Sequence, residues 1–180
     1  MIIALAGRRV DAEGQIPARF PSTDEAVDRV RHRIRTTLLS LQAQVLVSSA
    51  ACGADLLALD EAGKLGLRRR VVLPFDRAKF RSKSVTDRPG DWGLLYDAIL
   101  DDVQARGDLV TVSATSGDSP YQRTNHRVVR EALSIGRATN QPVEAVRVWE
   151  GSSRGKGDLT EEFGTYSEQL GVHVCEVLTL

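Results

Sequence analysis

The sequence contains two glycine-containing turns and a pair of arginines, and residues of these types at these spacings can bind phosphate. Residues 52–55 and 155–159 each lead from small residues into a segment of helical periodicity. A helix start presents free N–H groups and the positive end of the helix dipole, and small residues let an anion come close. Arg8 or Arg9 could add a charge-assisted hydrogen bond to the same phosphate. The alternative is that both turns contain Gly and Ser only because tight turns favour them.

Two carboxylates suggest a second kind of chemistry. Glu161 and Glu162 lie about one turn into the segment that follows Gly-Lys-Gly-Asp. A carboxylate beside a bound ribose could stabilise an oxocarbenium-like transition state or activate water for N-glycosidic cleavage. Arg123 or Arg127 would then orient the phosphate. The other interpretation of Glu161 is a capping box with Asp158, which has only a structural role.

Several familiar motifs are absent from the sequence. No Gly-x-Gly-x-x-Gly pattern follows the first apolar run and no Walker A loop occurs, which disfavours ordinary dinucleotide binding and P-loop hydrolysis. His32, His126 and His173 lie in separate segments without metal-ligand spacing. Ser48 and Ser49 lack the flanking residues of a nucleophile elbow. We therefore expect no metal and no cofactor.

Composition limits the partners of the chain. Acidic and basic residues balance at 24 each, and only nine of the 180 residues are Phe, Trp or Tyr, which makes nucleic acid an unlikely partner. No apolar run approaches the roughly 20 residues that span a bilayer. The opening segment lacks the basic region of a signal peptide, and the two cysteines have no partner motif. These features predict a cytoplasmic protein without membrane contact.

The elements that must position these residues alternate along the chain. Short apolar runs predict strands at residues 2–7, 45–49, 70–75, 108–112, 144–149 and 172–178. Helical periodicity fills most of the intervals, and a capping box from Ser22 to Glu25 predicts the start of the first helix. Residues 76–90 are predicted as a long polar connection. The alternation predicts an α/β fold: one Rossmann-like domain over residues 1–180, with a doubly wound, mainly parallel sheet of about six strands and helices on both faces.

The candidate residues fall where such a fold binds ligands. In doubly wound sheets, ligands bind outside the carboxyl ends of the strands, at the point where the strand order reverses. Small residues, hydroxyl groups and cations follow five of the predicted strands, in segments that include residues 7–9, 48–53, 77–83, 113–119 and 150–157. We therefore expect a ligand site along this edge.

The motifs GRRVD, SSAACGADLLALDEA, VVLPF with the later SV, YQRTNHRVVREA and VWEG…GKGDLTEEF resemble the SLOG superfamily over nearly the whole chain. That group includes the LONELY GUY phosphoribohydrolases, the DNA-processing protein A family and bacterial sensor domains in signalling and defence. The resemblance is strongest to the signalling-associated sensor domains. The phosphoribohydrolases carry a Pro-Gly-Gly-x-Gly-Thr-x-x-Glu motif with the catalytic Glu. Here the corresponding residues are 153–161, whose Gly-x-Gly and final Glu161 match and whose first half does not.

The resemblance implies binding or sensing of a nucleotide or nucleotide-derived ligand, with a homodimer and a signalling or effector partner as further implications. Alternatives from the same group are cleavage of nucleoside 5′-monophosphates by Glu161 or Glu162 and, less favoured, binding of single-stranded DNA. Backbone N–H groups at the two helix starts and Arg8 would hold phosphate, and Asp55 or a serine would bind ribose hydroxyls. The predicted ligand-binding residues are Gly7, Arg8, Arg9, Ser48, Ser49, Gly53, Asp55, Arg123, Arg127, Gly155, Gly157, Asp158 and Thr160.

Overall fold

The computed structural model describes residues 1–112 and 119–180. Within these ranges one sheet contains six strands, and every neighbouring pair is parallel. They are β1 (Ile2–Gly7), β2 (Val45–Ser48), β3 (Arg68–Leu73), β4 (Leu109–Thr111), β5 (Val143–Trp149) and β6 (His173–Leu178). Each predicted apolar run is thus a strand. Residues 113–119, which follow the fourth predicted strand, are predicted to contribute to the ligand site, and residues 113–118 of this segment lie outside the described residues.

The strand order explains where a site can form. The order across the sheet is β4-β3-β2-β1-β5-β6. The chain moves outward from β1 to β4 and then returns to the other side of β1 with β5. The order therefore reverses at β1, so the crevice beyond the carboxyl ends of β1 and β5 is the topological switch point.

Six helices cover the two faces of the sheet. They are α1 (Asp24–Ser40), α2 (Ala54–Lys64), α3 (Arg77–Ser84), α4 (Trp92–Ala105), α5 (Pro120–Thr139) and α6 (Leu159–Gln169). Successive residues of β1 point to opposite faces. Ile3 and Leu5 pack in a core with α1, α2 and α4, whereas Ile2 and Ala4 pack in a second core with α5 and α6. The predicted α/β fold with a parallel sheet and helices on both faces is confirmed.

Two local predictions are wrong. Thr23, not Ser22, caps α1, because its backbone is extended and its hydroxyl accepts a hydrogen bond from the Ala26 N–H at 3.4 Å. The connection at residues 76–90 contains a helix, α3, capped by Asp76 through the Lys79 N–H at 2.9 Å. Only Phe80 and Ser84 of α3 are buried. So short a helix shows no apolar stripe in the sequence.

Among the residues that the structure describes, no helix has both the length and the apolar composition needed to cross a bilayer.

Candidate functional site

A pocket of about 420 Å³ opens beyond the carboxyl end of β1, between the residues that follow β2 and the start of α6, which follows β5. We call it the β1 pocket. Its volume is within the range of about 300–1,000 Å³ that is typical of small-molecule sites. Its walls come from the end of β1 and the following loop, the starts of α2, α5 and α6, and the end of α3. The lining residues are Ala6, Gly7, Arg8, Arg9, Val10, Asp11, Gln15, Arg19, Ser49, Ala51, Asp55, Phe80, Ser84, Arg88, Tyr121, Thr124, Asn125, Arg154, Leu159 and Thr160.

Arg8 is held by carboxylates of the chain itself. Its Nη1 and Nη2 donate to Oδ1 and Oδ2 of Asp158 at 2.6 and 2.7 Å, and its Nε donates to Glu150 at 2.5 Å. Burial alone would raise the pKa of Asp158, but the hydrogen bonds from Arg8 and from the Arg154 amide hold that pKa well below its usual range. Arg8 therefore joins β1 to the start of α6, and its side chain is largely occupied before any phosphate binds.

Arg9 is also engaged. Its Nη2 donates to Asp87, and its Nε lies 3.4 Å from the Cys52 sulfur. Hydrogen bonding to Asp87 and the contact with Cys52 outweigh the effect of burial and raise the pKa of the guanidinium further. Arg9 therefore carries a permanent charge on the β1 pocket, with two of its five N–H donors used by these contacts.

Three other arginines on the β1 pocket are only loosely paired. Arg19 lies 3.6 Å from Glu150, Arg88 lies 4.0 Å from Asp87 and Arg154 lies 3.6 Å from Asp158. These carboxylates are the ones that Arg8 or Arg9 already binds more closely. Within the described part of the chain, the three guanidinium groups make no hydrogen bond, although each has five N–H donors. They are 22–45% exposed.

The start of α2 is closed by protein contacts. The Ala54 amide donates to the Arg8 carbonyl and the Cys52 amide to the Ser84 carbonyl, both at 3.0 Å. A Cβ on Gly53 would lie 2.8 Å from the Arg8 carbonyl oxygen and 2.7 Å from the Val10 nitrogen, and the residue has φ +98°. The small residues here therefore let α2 pack against the loop after β1. The same holds for Gly7, since its Cβ would lie 2.6 Å from those of Ala54 and Val148.

Asp55 is the exception at this helix start, because its carboxylate faces the pocket with few partners. The residue is 6% exposed. Oδ2 accepts a long hydrogen bond from the Ala51 N–H at 3.3 Å, and Oδ1 has no hydrogen-bond partner among the described residues. Burial raises the pKa of Asp55 to about 7, and the Ala51 and Gly7 amides and the charge of Arg9 oppose only part of that rise.

The two predicted serines differ in position. Ser48 is fully buried, and its hydroxyl donates to the Leu5 carbonyl at 3.0 Å between neighbouring strands. Ser49, one residue later, lines the β1 pocket. Only Ser49 is therefore placed to contact a ligand there.

The start of α6 is capped from within the chain. Oδ1 of Asp158 accepts hydrogen bonds from the Thr160 and Glu161 amides at 3.0 and 3.3 Å, and the Gly155 amide donates to the Ser153 hydroxyl. The capping box predicted for Glu161 is only half formed, because the Glu161 carboxylate contacts the Ser153 hydroxyl instead. Leu159 and Thr160 line the β1 pocket.

The glutamates of the enzyme hypothesis lie elsewhere. Glu161 and Glu162 line a neighbouring, open depression of about 430 Å³ together with predicted ligand residues Gly155, Gly157 and Asp158, and Leu159 lies between this depression and the β1 pocket. Neither glutamate lines the β1 pocket. Glu162 pairs with His126, whose ring stacks on Tyr166 with centroids 3.7 Å apart.

The predicted phosphate-orienting arginines are not brought to the β1 pocket. Arg127 pairs with Glu131 one turn along α5 at 2.6 Å. Neither Arg127 nor Arg123 is among the described residues that line the β1 pocket or the open depression.

Several pocket residues were not predicted from the sequence. Tyr121 is 37% exposed, its hydroxyl lies 3.2 Å from that of Ser84, and its ring packs edge-on against Phe75 with centroids 5.9 Å apart. Arg19 lies in the loop of residues 10–21 and Arg88 in the connection of residues 76–90. Connections of this length are more often functional than decorative, but the sequence does not single out either arginine. The motif YQRTNHRVVREA contains Tyr121 and could have identified it from the sequence. No residue pattern beside Arg19 or Arg88 marks either of them as a pocket residue.

Comparisons with known proteins give little beyond the geometry. A scan against protein-family models finds no match, and a search of curated proteins finds none. Among solved structures, DNA processing protein A from Streptococcus pneumoniae matches with a TM-score of 0.41 and 14% identity over 97% of this chain. The chain spans 58% of that protein. The Moco carrier protein from Chlamydomonas reinhardtii matches with a TM-score of 0.34 and 15% identity, over 99% of this chain and 90% of the other. Scores this low carry no functional argument.

Proposed function

We propose that the chain binds a nucleotide or nucleotide-derived molecule in the β1 pocket. The observation that carries the proposal is the set of three loosely paired guanidinium groups, Arg19, Arg88 and Arg154, on one pocket at the switch point of a parallel sheet. Arginine binds phosphate through parallel N–H donors, and each of these side chains has donors to offer. In this proposal these three arginines bind the phosphate, rather than the two helix starts that the sequence predicts for that role.

An aromatic ring supports the nucleotide class over a simple anion. Tyr121 lines the pocket with a partly exposed ring, and its contacts with Phe75 and Ser84 limit its movement. A base can stack on such a ring, and base–aromatic stacking contributes about 1–3 kcal/mol per base. A pocket that combines arginines with one such ring suits a phosphate and a base on the same molecule.

Thermal denaturation with a ligand panel tests the proposal. The panel contains AMP, ADP-ribose, cyclic nucleotides and, as controls for a simple anion, inorganic phosphate and pyrophosphate. A nucleotide at about 100 times its Kd should stabilise the fold by about 2.7 kcal/mol. The proposal predicts a shift with at least one nucleotide that exceeds the shift with phosphate. The absence of a shift with every nucleotide would contradict it.

The other functions suggested by the sequence have less support. N-glycosidic cleavage would need Glu161 or Glu162 beside the bound ribose, and both line the open depression instead. Single-stranded DNA binding has no support from the balanced net charge. Kinship with the SLOG superfamily, a sensor role in signalling and a homodimer belong to the same proposal and rest on the motifs quoted above. A cytoplasmic location is proposed from the composition of the chain.

A further inference from the structure

The Asp55 carboxylate is less satisfied than its burial demands. A carboxylate offers about four acceptor positions. Among the described residues, the backbone amides of Ala51 and Gly7 act on this one, and the Ala51 N–H makes one long hydrogen bond to Oδ2, whereas Oδ1 has no hydrogen-bond partner. A buried charge with so few partners is costly, and such groups commonly mark functional sites. The side chain lines the β1 pocket, so a ligand can supply the missing donor.

Neighbouring groups do not compensate this charge. Arg9 is the cation that acts on Asp55, and its own guanidinium is bound to Asp87. The amides of Ala54 and Cys52 donate to backbone carbonyls. The start of α2 therefore presents a carboxylate to the pocket, which repels a phosphate and attracts a hydrogen-bond donor.

We propose that Asp55 is the specificity-determining residue of the β1 pocket and accepts a hydrogen bond from a hydroxyl or amino group of the ligand. The proposal rests on the proposed function, in which the pocket binds a nucleotide through its loosely paired arginines. It narrows the ligand class to phosphorylated molecules that carry a neutral donor at a distance from the phosphate. A ligand with a second anionic group at Asp55 is selected against.

The first test compares AMP with analogues that each lack one of its donor groups, namely the 2′-hydroxyl, the 3′-hydroxyl or, in IMP, the 6-amino group. Titration calorimetry measures the Kd of AMP, 2′-deoxy-AMP, 3′-deoxy-AMP and IMP for the wild-type protein, for Asp55→Asn and for the control Asp101→Asn. Asp101 lies on α4 and its side chain is 72% exposed. The wild type should bind AMP at least about 10-fold more tightly than one of the three analogues, since the loss of a hydrogen bond to a charged group has this size.

The variants then assign the discrimination to one residue. In Asp55→Asn the ratio of Kd values should fall toward one, whereas Asp101→Asn should keep the wild-type ratio. Equal ratios in the wild type and Asp55→Asn, with AMP still bound, would overturn the role of Asp55 and leave the proposed function standing. No binding of any of the four probes, of ADP-ribose or of a cyclic nucleotide to the wild type would overturn both.

A pH titration of the wild type gives an independent test that needs no variant. A protonated carboxyl donates one hydrogen bond, whereas the carboxylate only accepts. The preference for AMP over the analogue should therefore weaken as Asp55 gains its proton on going from about pH 8.5 to about pH 5.5. A preference that stays constant over this interval would count against the proposal.

The other charged groups around Asp55 are not expected to change the ligand preference over this pH interval. The arginines that line the pocket keep their charge throughout the interval, and Arg8 is neutralised by Glu150 and Asp158. Asp11 accepts hydrogen bonds from the Arg19 and Phe20 amides, and Tyr121 is the titratable group that α5 contributes. The same comparison with adenosine and 2′-deoxyadenosine, which carry no phosphate, excludes ionisation of the phosphate as the cause of a pH-dependent preference.

Discussion

Arg8 and Asp158 form a buried, two-pronged ion pair across 150 residues of sequence, with Nη1–Oδ1 at 2.6 Å and Nη2–Oδ2 at 2.7 Å. The pair connects the end of β1 to the residue that caps α6, and Glu150 completes it from the end of β5. The strand-end arginine that the sequence assigns to phosphate thus fixes the geometry of the pocket. In our proposal the phosphate binds instead to the loosely paired arginines, whose nearest carboxylates are already bound by Arg8 or Arg9.

Removal of Asp158 should destabilise the fold strongly. Asp158→Ala leaves Arg8 with Glu150 alone and also removes the α6 cap, and breaking a buried ion pair costs about 3–5 kcal/mol. Urea denaturation measures the free energy of unfolding. Asp101→Ala is the control, because its exposed pair with Arg77 should contribute no more than about 1 kcal/mol. Equal losses in the two variants would show that the Arg8–Asp158 pair has no special role.

Asp55 should make stability fall as pH rises. Its folded-state pKa of about 7 lies above its ordinary value of 3.8, so the folded chain holds a proton that the unfolded chain has lost between these values. This stabilising contribution is complete below the unfolded pKa and disappears as pH rises through 7, with a total of roughly 4 kcal/mol. Denaturation of the wild type and Asp55→Asn should show this slope only in the wild type. The same slope in both proteins would assign it to other groups.

Two glycines with positive φ should respond differently to alanine. Gly53→Ala adds a methyl group 2.7 Å from the Val10 nitrogen, whereas Gly155→Ala adds one with nothing within 4 Å. Gly155→Ala should cost about 1–2 kcal/mol of backbone strain, and Gly53→Ala should cost more because the clash is added. Thermal denaturation ranks the two. A Gly53→Ala protein as stable as Gly155→Ala would contradict the close packing of α2 against the loop after β1.

The glutamates of α6 should not affect ligand affinity. Glu161→Gln and Glu162→Gln alter the open depression and leave the residues of the β1 pocket unchanged. We expect AMP to bind both variants within about 2-fold of wild type, because surface substitutions away from a site change free energies by about 0.5 kcal/mol or less. Calorimetry checks this, and an assay for free adenine runs beside it. Release of adenine by the wild type that either variant abolishes would support the enzyme alternative.

The sequence predicted the sheet because strands buried on both faces appear as continuous apolar runs, as in β1 and β2. It also predicted the edge at which Gly7, Ser49, Asp55 and Thr160 meet, since parallel strands end together. It did not reveal that Arg8 is already paired, because Glu150 and Asp158 lie more than 140 residues away. The arginines of the loops gave no local signal for the same reason: their proximity depends on tertiary structure.

The Kd of a nucleotide for an arginine-depleted pocket tests the central claim most directly. Calorimetry compares the wild type, Arg88→Ala/Arg154→Ala and the control Arg106→Ala, whose side chain pairs with Asp102 on α4. With the nucleotide that gives the largest thermal shift, the double variant should bind at least about 100-fold more weakly, since each of two charge-assisted hydrogen bonds contributes about 1.5–3 kcal/mol. Arg106→Ala should bind like the wild type. Unchanged affinity in the double variant would contradict phosphate binding in the β1 pocket.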